Sequence, residues 1–145
     1  MTLDHQVRLL TDRAAIEELA ARYAHAAARS DGEAIARLFV EDGSLTTHIP
    51  GAAPLVLRGR DALRAYLGAM APHSALPMLH NFVIEIDGDC ANATISLELR
   101  TVSAGRSLIG SARYDDTLRR EDGGWLFVDR VATFHHLVPL AQGWA

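Results

Sequence analysis

Apolar residues recur every three or four positions through residues 8 to 29, "RLLTDRAAIEELAARYAHAAAR". Leu9, Ile16, Leu19, Ala20, Tyr23 and Ala27 fall on one stripe, with Arg13, Glu17 and Arg29 mostly elsewhere. The pattern predicts a long amphipathic helix. Asp31-Gly32 interrupts it, and "EAIARLF" then offers Ile35, Leu38 and Phe39 as the buried face of a short second helix. "VEDGSLTTHI" reads as a turn entering a strand, and Pro50, Gly51 and Pro54 make residues 50 to 54 a loop. "LVLRGRDALRAYLGAM" predicts a brief strand and a third helix carrying Leu63, Tyr66, Leu67 and Met70, after which Pro72 and Pro77 bracket another loop.

From residue 79 the period changes to two. Strands are predicted at 79 to 87, about 91 to 103 and about 106 to 120, followed by "WLFVDRVATFHHL" behind Asp122-Gly123-Gly124. Helices gathered first and strands later predict an α+β domain in which the helices cover one face of a curved antiparallel sheet. Alternation then assigns faces. His80, Phe82, Ile84 and Ile86 share one side of the first meander strand, opposite Asn81, Glu85 and Asp87. Ala93, Ile95, Leu97, Leu99 and Thr101 point together on the next, and Ala112, Tyr114, Asp116 and Leu118 on the third. Of His135 and His136, only one faces inward if the last strand stays regular.

Composition narrows the partners. The chain has 145 residues and 49% hydrophobic content, enough for one core. Its net charge is -4 and its 14 basic residues are all arginine, scattered along the chain, which argues against nucleic acid. No single-signed block suggests a membrane-binding helix, and no apolar run approaches the length of a membrane span. Cys90 stands alone and cannot form an internal disulfide. A soluble protein of a reducing compartment, the cytoplasm, is expected. The exclusive use of arginine and the abundant alanine suggest a GC-rich bacterial genome. The seven histidines lack the helical spacing of a zinc site, although His48, His80 and one of the carboxy-terminal pair could converge in space. The Asp-Gly turns are hairpin turns and not phosphate loops. No metal and no cofactor are expected.

The element order, together with "AAIEELAARYAHAAARSDGEAIARLFVEDG", "LRGRDALRAYL", "LHNFVIEIDGDCANA" and "ARYDDTLRREDGGWLFVDR", resembles the SnoaL-like branch of the nuclear transport factor 2-like superfamily over nearly the whole chain. The resemblance implies a single domain over residues 1–145, its sheet a cone with three helices over the concave face and a pocket between sheet and long helix. The superfamily includes scytalone dehydratase, bile acid dehydratase, ketosteroid isomerase, polyketide cyclases, a dehydrochlorinase and members with no known catalysis, so fold alone does not fix function. It places His80 at the position of the dehydratases' catalytic histidine, where a neutral imidazole in an apolar cavity accepts a proton. The alternative is a hydrogen bond from His80 to a loop carbonyl. The aspartate that orients this histidine in the dehydratases, five residues after the tyrosine, is replaced here by Ala28. Asp116 is the candidate substitute, or else the salt-bridge partner of Arg130 or Arg120. Tyr23 matches a tyrosine that donates to a developing oxyanion in ketosteroid isomerase, or fills the core. The isomerase's base would fall near Thr47, beside His48.

These residues lead to an expected cofactor-independent lyase or isomerase, dehydratase- or cyclase-like, acting on a small apolar cyclic or aromatic substrate. His80 moves the proton, Tyr23 and Tyr114 hold the substrate oxygen, Asp116 or His135 assists, and Phe82, Leu97, Leu99 and Met70 line the walls with His48 nearby. One alternative is a non-catalytic ligand-binding or dimerisation module, for which Ala28 speaks. Another is a hydrolase or dehydrohalogenase. A homodimer is expected through the outer sheet face, where Asn92, Thr94, Ser96, Glu98 and Arg100 alternate with the inward residues beside Val83 and Val102.

Overall fold

Thr2 caps the first helix by accepting the backbone N–H of His5, and α1 runs Leu3–Arg29 in the computed structural model, which describes residues 1–142. The predicted stripe is the buried one: Ile16, Leu19, Ala20 and Tyr23 face the sheet. Ser30 ends the helix in the left-handed region at φ 54° and returns its N–H to the carbonyls of Ala26 and Ala27. Asp31 then caps α2 (Gly32–Arg37) by accepting from the Ala34 N–H. At Gly32 a Cβ would stand 2.3 Å from the carbonyl oxygen of Arg64, so α2 and α3 (Arg60–Gly68) approach backbone to backbone. Phe39 was expected to close the second helix; it opens a strand instead, because the Leu38 carbonyl is taken by the Phe127 N–H.

The strands are β1 (Phe39–His48), β2 (Leu55–Arg58), β3 (Ala75–Asp87), β4 (Cys90–Ser103), β5 (Arg106–Glu121) and β6 (Gly124–Pro139), ordered β2-β1-β6-β5-β4-β3. Strands β3 to β6 form the predicted meander. The sheet as a whole is mixed, not antiparallel, because β1 runs parallel to β6. Parallel neighbours require a long crossover, and α3 with the meander supplies it. Pro77 lies inside β3 and not in a loop. As the outermost strand, β3 can hold a proline without losing a ladder bond on both sides.

Register shifts mark irregularities in β1, in β3 between His80 and Val83, and at two places where β5 meets β6. Such bulges bend strands and strengthen twist. The result is a six-stranded α+β cone whose inner face, including Ile95, Leu97, Ala112, Leu118, Phe127, Ala132 and Phe134, is buried under the helices. A second tie fixes α1. Its buried Asp12 accepts from the Trp125 indole at 3.1 Å and from Arg120 at 2.8 Å, and the Arg120 hydrogen bond holds the Asp12 carboxyl below the usual carboxylate range. Among the described residues, no helix is long and apolar enough to cross a membrane.

The α2–α3 contact makes a direct prediction. Gly32→Ala forces a methyl group onto a backbone carbonyl, so it should cost roughly 1–3 kcal/mol, as overpacking does. Urea unfolding reads this as a lower midpoint at unchanged slope. A midpoint equal to that of the parent would contradict the close approach.

Candidate functional site

One inserted residue decides where the opening histidine goes. Asn81 takes φ 52° within the β3 irregularity, a conformation that asparagine adopts more readily than most residues. Before it, Ala75, Pro77 and Leu79 pair with Thr101, Leu99 and Leu97 of the inner face; after it, Ile84 and Ile86 pair with Ala93 and Ala91. His80 pairs with Ser96 and faces outward. The expectation that His80 shares a face with Phe82, Ile84 and Ile86 is thus corrected: the extra residue resets the alternation between them. His80 Nε2 lies 3.1 Å from Glu98 Oε2, with the side chains 49% and 58% exposed. Both sit in a surface groove with Asn81, Ser96, Arg113 and His135.

The same physics governs the carboxy-terminal pair. Ser111 pairs with His136 and Ala112 with Phe134, which leaves His135 as the extra residue on β6; both histidines are exposed and neither lines the interior. His48 is exposed at the end of β1, while its neighbours Thr47 and Ile49 face inward. His80 and His135 therefore meet on the outer face, and His48 stays apart from them. The described residues contain no group of three or more histidines, cysteines or carboxylates placed to hold a metal ion.

Between α1, α3 and the inner sheet face lies a cavity of about 350 Å³. Of the expected residues, Tyr23, Tyr114, Leu97, Leu99 and Met70 all line it, joined by Leu45, Phe134 and Leu137. Phe82 does not. It packs instead in a neighbouring groove between α1 and β3, along with Ala28. The lining residues with polar side chains are Tyr23, Tyr66, Tyr114, Thr47, Thr101 and Ser103. Among the described lining residues there is no imidazole, carboxylate, thiol or cation. Tyr66 is 48% exposed, whereas Tyr23 and Tyr114 are 4% and 5% exposed and form the floor. Their rings meet edge to face at 6.0 Å.

Behind this floor is the most buried ion pair among the described residues. Asp116 faces inward as predicted, yet its partner is Arg130 and not His80. Arg130 Nε and Nη2 donate to the two Asp116 oxygens at 2.8 and 2.9 Å, and both side chains are 0% exposed. Regular alternation from Trp125 and Phe127 would have sent Arg130 outward. The shift at Thr117/Leu118, which places Leu118 against Phe127 and Asp116 against Arg130, brings it in. The guanidinium carbon lies 3.8 Å from the Tyr114 ring centroid, 4.2 Å from Phe127 and 4.4 Å from Tyr23. Nη1 is buried with no hydrogen-bond partner among the described residues.

Burial pushes the Asp116 carboxyl upward, opposed by the guanidinium charge and its hydrogen bonds. Burial likewise raises both the Tyr23 and the Tyr114 hydroxyls above their ordinary value. Both phenols consequently stay protonated at neutral pH. Chemically, the cavity offers an apolar wall and a pair of phenol donors at its closed end.

Comparison with known proteins agrees with this architecture. The family model described as a SnoaL-like domain matches residues 8–131. Among solved structures, a variant of Rv3472 from Mycobacterium tuberculosis, a protein of unknown function, is 30% identical with TM-score 0.75, covering 95% of this chain and 78% of that one. An NTF2-like protein with a cystatin-like fold from Novosphingobium aromaticivorans is also 30% identical, with TM-score 0.74 and coverage of 92% and 88%. Hexachlorocyclohexane dehydrochlorinase LinA-type3 from Novosphingobium barchaimii shares the fold at TM-score 0.80 and 19% identity, with 97% of each chain covered. No curated protein matches the chain.

The buried floor predicts an unusual alkaline titration. Of the three tyrosines only Tyr66 is exposed, so a Tyr66→Phe variant isolates the other two. Because their folded-state values are raised, their contribution to stability is intact below about pH 10, the value of an unfolded phenol, and is lost as pH climbs toward the folded value. Tyrosinate absorbance should therefore stay flat through the ordinary phenol range and rise only with unfolding. A reversible signal near pH 10 in the folded variant would contradict the burial.

Proposed function

The chain belongs to the SnoaL-like domain family, and we propose that its own role within that family is to bind one small, largely apolar molecule in the cavity, with a ligand oxygen received by Tyr23 and Tyr114. The observation that carries this reading is the lining itself: apolar walls, hydroxyl-bearing residues, two protonated phenols, and no side-chain base among the described lining residues. Apolar burial supplies the affinity in such a site, and the few convergent polar groups fix orientation. Each buried donor contributes about 0.5–1.5 kcal/mol when matched, and costs more when a ligand leaves it unmatched.

A second reading is lyase or isomerase chemistry. It draws on the fold shared with LinA-type3, which its name describes as a dehydrochlorinase. In this cavity the phenols could stabilise a developing oxyanion. The proton would have to be taken by a substrate group or by His80 after a rearrangement of the β3 bulge, since His80 pairs with Glu98 on the opposite face. Pairing of two copies through the outer sheet face belongs to the same proposal. Support for it comes from Val83 and Val102, which are 59% and 53% exposed there.

The test uses a small cyclic ketone, 1-indanone, titrated by calorimetry or ligand-observed NMR. Leu97→Trp, which fills the cavity, should abolish binding. Tyr23→Phe or Tyr114→Phe should each weaken it by about tenfold, the worth of one buried hydrogen bond. His80→Gln should leave it unchanged. Binding that survives Leu97→Trp, or that depends on His80, would sink the cavity reading.

A further inference from the structure

The phenol floor has a cation directly behind it. Arg130 stacks on the Tyr23 and Tyr114 rings, and its carbon sits 4.4 and 3.8 Å from their centroids. Asp116 grips the Nε and Nη2 edge, so the guanidinium presents its flat face and the unpartnered Nη1 to the aromatic cage. The ion pair is neutral as a whole, but it is a dipole whose positive end is against the tyrosines. At both hydroxyls the pull of Arg130 outweighs the push of Asp116. No carboxylate among the described cavity-lining residues opposes it. A phenol polarised by a neighbouring cation is a stronger donor, and in a site shielded from water that field is weakly screened.

We propose that the cavity selects ligands whose floor-bound oxygen is anionic, a phenolate- or enolate-type oxygen on a small apolar body, and that Arg130 is the positioning residue that sets this selectivity through the two tyrosines. The inference rests on the binding reading above and names the ligand class it would take. The two tyrosines donate to the oxyanion, and the fixed cation behind them compensates the charge that the apolar walls do not solvate. A neutral carbonyl gains only the hydrogen bonds.

The experiment uses 4-nitrophenol, whose hydroxyl ionises close to neutral pH and whose two forms are distinguished by absorbance. 4-Nitroanisole, which cannot ionise, is the control. The wild-type protein is titrated with each at about pH 5.5 and about pH 8.5, a range in which ordinary phenols of the protein remain neutral. The phenolate should bind about tenfold more tightly than the phenol, the size expected for a partly compensated charge at this range. The bound probe should also be ionised at a pH where the free probe is mostly neutral, while 4-nitroanisole binds equally at both. In a folded Arg130→Met/Asp116→Leu double variant the phenolate-to-phenol ratio should fall to near one.

Equal affinity for the two forms, or tighter binding of the phenol, overturns the charge selectivity and leaves the cavity reading standing. A preference that persists in the folded double variant overturns the assignment to Arg130. Should that variant not fold, the wild-type ratio and the ionisation state of the bound probe decide the selectivity by themselves. Failure of 4-nitrophenol, 4-nitroanisole and 1-indanone alike to bind sinks the cavity reading, and this inference with it.

Discussion

The bidentate pair of Arg130 and Asp116 is the constraint on which the closed end of the cone depends. Two charges are held out of water at 0% exposure, a cost of several kcal/mol per ion unless geometry and hydrogen bonding offset it. The two parallel donor contacts supply the geometry. Three rings supply the rest, since the guanidinium stacks against Tyr114 of β5, Phe127 of β6 and Tyr23 of α1. Phe39 of β1 joins them, 5.2 Å from Phe127 and 6.2 Å from Tyr23. One long helix and three strands thus meet around a single cation. A core of leucines alone would not fix which turn of α1 lies over which strand, because apolar contacts are non-directional. Arg130 supplies a direction.

From that anchor the two ends of the molecule follow. At the closed end the aromatic cage fills the space and excludes water. One strand position further along, where Tyr114 pairs with Ala132 and then Ala112 with Phe134, the packing opens into the cavity. The tyrosines belong to both regions, with their rings against the cation and their side chains lining the cavity. The bulges divide the remaining polar groups. With one extra residue on β3 and two on β6, His80 and His135 stay on the outer face and Leu97, Leu99 and Phe134 inside.

How much of this is legible in the sequence depends on which strand is read. The stripe on α1 gives Tyr23, and the uninterrupted alternation of β4 and β5 gives Leu97, Leu99, Tyr114 and Asp116 on the inner face, because nothing there breaks the period of two. Met70, read onto the third helix, lines the cavity from just past that helix, which ends at Gly68. His80 and His135 were misplaced for one reason: a bulge adds one residue and resets the alternation around it, and hydrophobicity carries no mark of where it falls; Phe82 keeps the side of Ile84 and Ile86 but lies in the groove beside α1 and not in the cavity. Asn81 is a weak signal in hindsight, as a residue that tolerates positive φ inside an apolar run. Arg130 is harder still. A lone arginine in "FVDRV" reads as a surface charge until the register of β6 against β5 is known, and only then does Asp116 become its partner.

The central claim is that the Arg130–Asp116 pair is a coupled unit holding the cavity floor, and a double-mutant cycle in urea unfolding tests it most directly. Arg130→Met or Asp116→Leu alone strands one buried charge and should cost roughly 3–5 kcal/mol. The double variant replaces both with apolar groups and should recover most of that loss, giving a large coupling energy. Single variants that each cost under about 1 kcal/mol, or losses that simply add in the double variant, would contradict the account.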